Sequence, residues 1–318
     1  MTTAQPRLKL AISACLLGQE VRFNAGHKQS TLCTQVLQRY FDFQPLCPEM
    51  AIGLGAPREA IRLVGDAEAP RAVGSVHHEL DVSEALIGYA EGVAARLDDI
   101  SGLIVMQKSP SCGMERVKVY QDDGRPAEKG QGLFTATVAR LCPELPIEED
   151  GRLNDPVLRD NFVARVYAYG EWQALRRAGL TRKAIIDFHS RHKYLLMAHN
   201  PQQYRELGRL LAGIGAHDPA EFGPRYFAAL MAALKKCATR GTHANVLQHL
   251  AGYLRRALPG EERQAIQRLI EQYRSGTLPL VVPLTMLKYL FRHHPDRYVA
   301  LQVYLQPHPE ELGLRNAI

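Results

Sequence analysis

The sequence predicts a doubly wound α/β domain built on a parallel sheet, followed by an all-α domain. Three observations predict it. Short apolar runs alternate with helical stretches up to about residue 140, only helical periodicity follows Asn154, and the charge changes sign between the two stretches. The expected domains span 1–158 and 159–318. Residues 1–150 carry 15 Lys+Arg against 20 Asp+Glu, a net of −5, whereas residues 151–318 carry a net of +11. A mildly acidic chemical domain joined to a basic one that holds a polyanion fits this division.

The elements follow in order. Residues 8–14 form an apolar run that reads as a strand and leads into a Gly-containing loop. Residues 31–41 place Leu32, Val36, Leu37 and Tyr40 at helical spacing, and a second strand spans 43–46. A long helix over 79–97 sets Leu80, Leu86, Ile87, Ala90 and Val93 on one side. Strand 103–107, an edge strand 117–120 and helix 134–141 complete the pattern. Residues 143–151, rich in turn formers and acid, close the domain. Asn154-Asp155-Pro156 then reads as a helix start with Pro at the first helical position. Further helices are predicted over 181–198, 201–211, 224–239, 243–258, 261–274 and 283–292. Thr242 is the expected N-cap of the helix from 243, and Gly260 is expected in the turn before the next.

The chain has no uninterrupted run of about 18 apolar residues, so no membrane-spanning helix is expected. Its start lacks the apolar region and cleavage site of an export signal. Six cysteines in 318 residues are too few for a disulfide framework, so they are expected as reduced thiols in the cytoplasm.

Three of those cysteines sit where chemistry is expected. Cys15 and Cys47 directly follow predicted strands, and Cys112 follows one through Lys108-Ser-Pro-Ser. Carboxyl ends of parallel strands gather along one edge, where such sheets bind ligands. Three thiolates there suit iron and sulfide, with turn residues supplying free N–H groups to the sulfurs. The plainer reading of a lone Cys is a small buried hydrophobe, which is the one adopted for Cys33, Cys142 and Cys237. Glu49, two residues past Cys47, points to the thiol's side if the segment stays extended, and could relay a proton or form a surface salt bridge. Ser109 and Ser111 flank Pro110 and suit turn hydrogen bonding. Lys108 is placed to meet an anionic intermediate or solvent. The loop Val21-Arg-Phe-Asn-Ala-Gly-His-Lys28, with Asn24 and Lys28, and the segment Gly53-Leu-Gly-Ala-Pro-Arg58, with Arg58, can line the crevice. Gly132, ahead of a helix, can present N–H groups to an anion.

Nine of the twelve histidines fall in the second half, among arginines. His189 and His192 share a helix face but lack a Cys or carboxylate at matching spacing, so polar-face or RNA-contacting histidines are expected. Basic residues near predicted helix ends, among them Arg182, Lys183, Arg191, Lys193, Lys235, Lys236, Arg255 and Arg256, are the candidate RNA contacts.

With these segments in view, the first half resembles the TudS-type thiouracil desulfurases. The resemblance rests on Ser13-Ala-Cys-Leu-Leu-Gly18, Arg22-Phe-Asn-Ala-Gly-His-Lys28, Cys47-Pro-Glu49 and Lys108-Ser-Pro-Ser-Cys-Gly113. The second half is similar to the helical domain often fused to them, through Phe188-His-Ser-Arg-His-Lys-Tyr-Leu-Leu-Met-Ala-His199 and Leu278-Pro-Leu-Val-Val-Pro-Leu-Thr285. The fusion resembles the RudS-type desulfidases of 4-thiouridine in tRNA, and the match covers nearly the whole chain. The resemblance implies a 4Fe–4S cluster held by Cys15, Cys47 and Cys112 with one iron open, Glu49 handling protons and Ser109 orienting the substrate. None of these five positions departs from the family motifs. It further implies hydrolytic removal of sulfur as hydrosulfide, leaving uracil or uridine. Two other functions stay open: desulfuration of a free thiopyrimidine base or nucleoside, and a non-catalytic RNA-binding protein that senses iron or oxidants.

Overall fold

The structure is a computed structural model that describes residues 7–121 and 125–318. Residues 1–6, part of the start read as lacking an export signal, lie outside the described residues. The chain divides into two units, Met1–Asn154 and Asp155–Ile318. The first is an α/β unit with a parallel sheet and the second is helical, the fold class that the sequence predicts.

In the first unit the strands are β1 (Leu8–Ser13), β2 (Phe41–Leu46), β3 (Ile61–Val64), β4 (Arg71–Gly74), β5 (Ile100–Val105), β6 (Val117–Tyr120), β7 (Pro126–Gly130) and β8 (Ile147–Glu149). Its helices are α1 (Pro48–Ala51), α2 (Ser83–Ala94) and α3 (Leu133–Leu141). The main sheet has the order β2-β1-β5-β8, with every neighbouring pair parallel. β5 is buried at all six positions, as a central strand covered on both faces must be.

Several expectations are corrected. Strand 117–120 is no edge: it is interior to a second sheet of order β4-β3-β6-β7, parallel to β3 and antiparallel to β7. The closing segment 143–151 contains β8, whose two acids, Glu148 and Glu149, are 4% and 1% exposed. They tolerate burial because Glu148 pairs with Arg152 at 2.6 Å, while Glu149 Oε1 accepts the Met114 and Glu115 amides at 2.9 and 3.2 Å. Residues 31–41 form a π turn, Leu32–Val36, and a 3-10 turn, Leu37–Arg39, in place of one helix. The helix predicted from 79 begins at Ser83, because the backbone before it is spent on β4. The Leu80 carbonyl accepts the Gly74 amide, and the Val82 amide donates to Ala72.

The second unit contains α4 (Pro156–Ala178), α5 (Arg182–His199), α6 (Pro201–Ala212), α7 (Pro219–Leu234), α8 (Arg240–Tyr253), α9 (Gly260–Arg274), α10 (Val281–His293) and α11 (Arg297–Ala300). Asp155 caps α4, accepting the Val157 and Leu158 amides at 2.8 and 3.0 Å. α7 starts five residues before Pro224, capped by Asp218, and it ends at Leu234. The N-cap of α8 is Thr239, and Thr242 sits at N3 and completes a capping box, which corrects Thr242 as cap. Gly260 is the first helical residue of α9, not part of a turn ahead of it. The core is aromatic at its centre, where Trp172 stacks on Phe227 at 4.7 Å and meets Phe188 edge-on at 5.2 Å.

The histidines expected on a polar face are mostly inside. His189, His192, His199, His243 and His308 are buried. His189 Nδ1 meets the Tyr226 hydroxyl at 3.0 Å, and His192 Nδ1 meets the Phe188 carbonyl at 2.9 Å. Burial pushes His189 and His192 down to about 4 and His243 to about 3, the cation being disfavoured away from water. In the unfolded chain they protonate near 6.5, so between these values the unfolded state binds more protons. The stability they contribute is complete above about pH 6.5 and drains away as pH falls towards 4, by up to about 1.4 kcal/mol per pH unit for each histidine. Calorimetric melting of the second unit is therefore expected to hold steady above pH 6.5 and to fall steeply below it. His192→Gln is expected to lessen that slope, and an unchanged slope contradicts the assignment.

Candidate active site

β2, β1 and β5 are parallel neighbours, so the loops leaving their carboxyl ends emerge side by side. Cys15 lies in the 3-10 turn Ala14–Leu17 after β1, Cys47 caps α1 after β2, and Cys112 lies in the loop after β5. The structure brings the three thiols to the wall of one cavity of about 380 Å³. Among the described residues, no group of three or more His, Cys, Asp or Glu side chains is placed to hold a single metal ion.

Each loop is held by short-range bonds. The Ser13 hydroxyl accepts the Met106 amide at 3.0 Å and so ties the exits of β1 and β5 together. The Cys15 carbonyl accepts the Gly18 and Lys28 amides. The Cys112 loop is anchored by the Ser109 hydroxyl, which accepts the Cys112 and Ser111 amides at 3.1 and 3.3 Å. Thr135 donates to the Cys112 carbonyl at 2.6 Å. Burial, reinforced by the neighbouring Cys47, pushes Cys15 up to about 11, and burial raises Cys47 and Cys112 as well. Protonated thiols are poor nucleophiles, whereas a soft metal centre displaces their protons.

Glu49 also lines the cavity, although not by strand alternation. Cys47 is extended, but Pro48 opens a helical turn, and Glu49 follows in that turn. Its carboxylate is gripped from both sides. Arg58 Nε and Nη2 donate to Oε2 at 2.8 and 2.6 Å, and Ser111 Oγ donates to Oε1 at 2.8 Å. Both partners of the ion pair are shielded, at 6% exposure for Arg58 and 14% for Glu49. Arg58 is itself fixed by the Gly55 carbonyl at 2.5 Å.

The remaining sequence candidates divide. Lys108, Ser109 and Arg58 line the cavity. Ser111, fully buried, lies behind it and acts on Glu49. Asn24 and Lys28 are exposed and do not line the cavity, and the Asn24 side chain instead closes its own turn on the Gly26 amide. Gly132 is no anion site. Its amide donates to the Gly113 carbonyl at 2.8 Å, and the Leu133 and Phe134 amides serve Pro110 and Ser111. A Cβ at Gly132 would lie 2.5 Å from the Ser111 carbonyl carbon and 2.7 Å from the Cys112 amide nitrogen. Gly132→Ala is therefore expected to displace the Cys112 loop and to cost about 1–3 kcal/mol. A melt that matches the parent's, with unchanged iron uptake, contradicts this.

The loop 21–28 does line the cavity as expected, but through Arg22 and Phe23, which were not singled out in it, and not through Asn24 or Lys28. Phe23 is 41% exposed, and the Arg22 guanidinium lies 5.6 Å from its ring. The signal was present as an aromatic residue next to a cation in a turn-rich loop.

In the second unit, Arg182, Lys183, Lys235, Lys236, Arg255 and Arg256 are exposed. Lys183 pairs with Asp187, Arg191 with Glu171, and Arg182 donates to the His217 carbonyl. Lys193 lies over the rings of Tyr194 and Tyr298. No helix among the described residues is long and apolar enough to cross a membrane.

Residues 10–150 match the family described as 2-thiouracil desulfurase, and residues 193–309 match the protein family of unknown function DUF1722. The uncharacterized protein YbgA of Escherichia coli strain K12 is 34% identical over 159 residues, which are 50% of this chain and 94% of that protein. A solved structure of a 4Fe–4S-dependent thiouracil desulfidase, TudS, is 27% identical and has a TM-score of 0.37. That match covers 47% of this chain and 95% of its own.

Proposed function

The chain belongs to the family of the Escherichia coli protein YbgA, and from its cysteine-lined cavity we propose that it is an iron–sulfur-dependent desulfidase of 4-thiouridine in tRNA. The observation that carries this reading is the sharing of one cavity by Cys15, Cys47, Cys112 and the Glu49–Arg58 pair. The match of residues 10–150 to the 2-thiouracil desulfurase family supports it. The donor set fits the cofactor. Ligands of a four-iron cluster bind different irons, so their sulfurs ring a space instead of converging on one point.

Cys15, Cys47 and Cys112 would hold the cluster, which when bound supplies a soft Lewis acid for a thiocarbonyl sulfur. The Phe23 ring offers a flat face to the pyrimidine. Glu49, fixed by Arg58 and Ser111, takes a proton from the water that attacks the ring carbon. As the carbon–oxygen bond forms and the carbon–sulfur bond breaks, Glu49 returns that proton to the departing sulfur. Water and thiocarbonyl thus become carbonyl, hydrosulfide and one proton that passes to solvent, with no external electrons. Ser109 orients the substrate, and Lys108 meets negative charge that develops on it.

The net charge of +11 over residues 151–318 supports tRNA as the substrate, since phosphate contacts hold a polyanion without reading it. The modified base is then turned out of its stack into the cavity. The protein reconstituted anaerobically with iron and sulfide is expected to convert 4-thiouridine in tRNA to uridine, read by nucleoside analysis. Unchanged 4-thiouridine beside an intact cluster refutes the proposal. The description of the matching family favours a second reading, a free thiopyrimidine substrate. Lys235→Glu with Lys236→Glu is expected to weaken tRNA binding at least about 10-fold and to spare turnover of free 4-thiouracil. Equal loss of both contradicts separate roles for the two units.

A further inference from the structure

The second unit has a cavity of its own, of about 320 Å³, between α10 and the segment after residue 304. Its floor is apolar and includes Leu284, Leu305 and Leu314. Its walls are cationic. Lys288 and Arg292, one helical turn apart, come from α10, and Arg315 comes from the final segment. Glu310, paired with Lys288, is the only carboxylate among the described lining residues.

Arg315 is 8% exposed and is built in. Its Nη1 donates to the Tyr304 carbonyl at 2.6 Å, while its Nε is buried without a hydrogen-bond partner, 3.5 Å from Asp160. Asp160, itself buried, also accepts from His308 Nε2 at 2.7 Å. The carboxylate of Asp160 thus fixes two cavity-lining side chains from behind. Arg315 is thereby held as a fixed cationic wall of the cavity, with its Nε turned to Asp160. The cavity also has an aromatic rim. Tyr289 is 53% exposed, and His293 lies against it with ring centres 4.7 Å apart.

We propose that this cavity binds a mononucleotide unit, with its phosphate on Lys288, Arg292 and Arg315 and its base against Tyr289 and the leucine floor. With Glu310 on Lys288 and Asp160 behind Arg315, three cations stand against two carboxylates, which leaves the cavity net positive and suited to a phosphate, and Arg pairs with phosphate in a bidentate way. The volume is at the small end for ligand sites and suits a single nucleotide. The same chemistry has two sources, a free mononucleotide or the 5′-phosphorylated end of an RNA. The site is separate from the cysteine cavity, so it can be tested without a cluster.

The test is calorimetric titration of the full chain with uridine 5′-monophosphate, with uridine, and with a short RNA carrying or lacking a 5′-phosphate. The monophosphate is expected to bind at least about 10-fold tighter than uridine, the worth of one or two charged hydrogen bonds. Lys288→Ala with Arg292→Ala, at side chains that reach solvent, is expected to erase that preference, and Tyr289→Ala to weaken both ligands. A phosphate preference in the RNA pair that the same double substitution erases assigns the site to an RNA end. A preference confined to the monophosphate assigns it to a free nucleotide. Equal affinity for monophosphate and uridine, a preference that survives the double substitution, or no binding of any probe below about 1 mM overturns the proposal.

Discussion

Serine in place of Cys15, Cys47 or Cys112, one at a time, is expected to prevent stable assembly of the iron–sulfide centre and to lower desulfidation at least about a thousandfold, roughly 4 kcal/mol at the transition state. A hydroxyl is too hard and too weakly acidic to replace a thiolate on iron. Cys33 provides the contrast. It is fully buried, and burial pushes its thiol up to about 11, so it behaves as a small apolar side chain of the core. Cys142 donates at 3.9 Å to the Ala94 carbonyl, outside the cavity. Cys33→Ala and Cys142→Ser are therefore expected to keep iron content and turnover near those of the parent. Iron and sulfide analysis after anaerobic reconstitution checks both sets. Retention of a full complement by a Cys47→Ser protein contradicts ligation by that residue.

Glu49→Gln separates proton handling from cofactor binding. The amide keeps the size of the carboxylate and one acceptor for Arg58 or Ser111, but it cannot take up a proton. Turnover is expected to fall about 10²–10⁴-fold, the usual worth of a positioned acid–base group, with iron content unchanged. Arg58 is left buried without its counter-ion, so a melting curve must accompany the rate measurement. Folded, iron-replete Glu49→Gln that turns over at the parent rate removes Glu49 from the chemistry.

Much of this site was legible because parallel strands deliver the residues at their carboxyl ends to one edge. Cys15 and Cys47 stand directly after apolar runs, and Cys112 comes after one across a short turn. Alternation of strands and helices was enough to predict a parallel sheet. Contacts made across the fold were less visible. Ser109 and Ser111 look alike in Lys108-Ser-Pro-Ser-Cys-Gly113, yet one holds the loop's amides and the other holds Glu49. Glu148 and Glu149 read as part of an acidic closing turn, because nothing in the segment announces that Arg152 pairs with one and two loop amides bond the other inside. β3 and β4 are four residues each and too short for a period to emerge, so the second sheet was not foreseen. In the helical unit the periodicity was clear but its ends were not. Pro224 and Thr242 resemble helix starts, while the actual caps are Asp218 and Thr239. Histidines beside arginines read as surface groups, and five of them are core residues.

The central claim is that Cys15, Cys47 and Cys112 together hold one cluster and leave an iron without a protein ligand. Anomalous scattering at the iron edge, from crystals of the reconstituted protein grown without oxygen, tests it most directly. Four iron peaks ringed by those three sulfurs, one of them lacking a side-chain ligand, are the predicted result. Iron elsewhere in the chain, or a fourth side chain bound to the remaining iron, contradicts it.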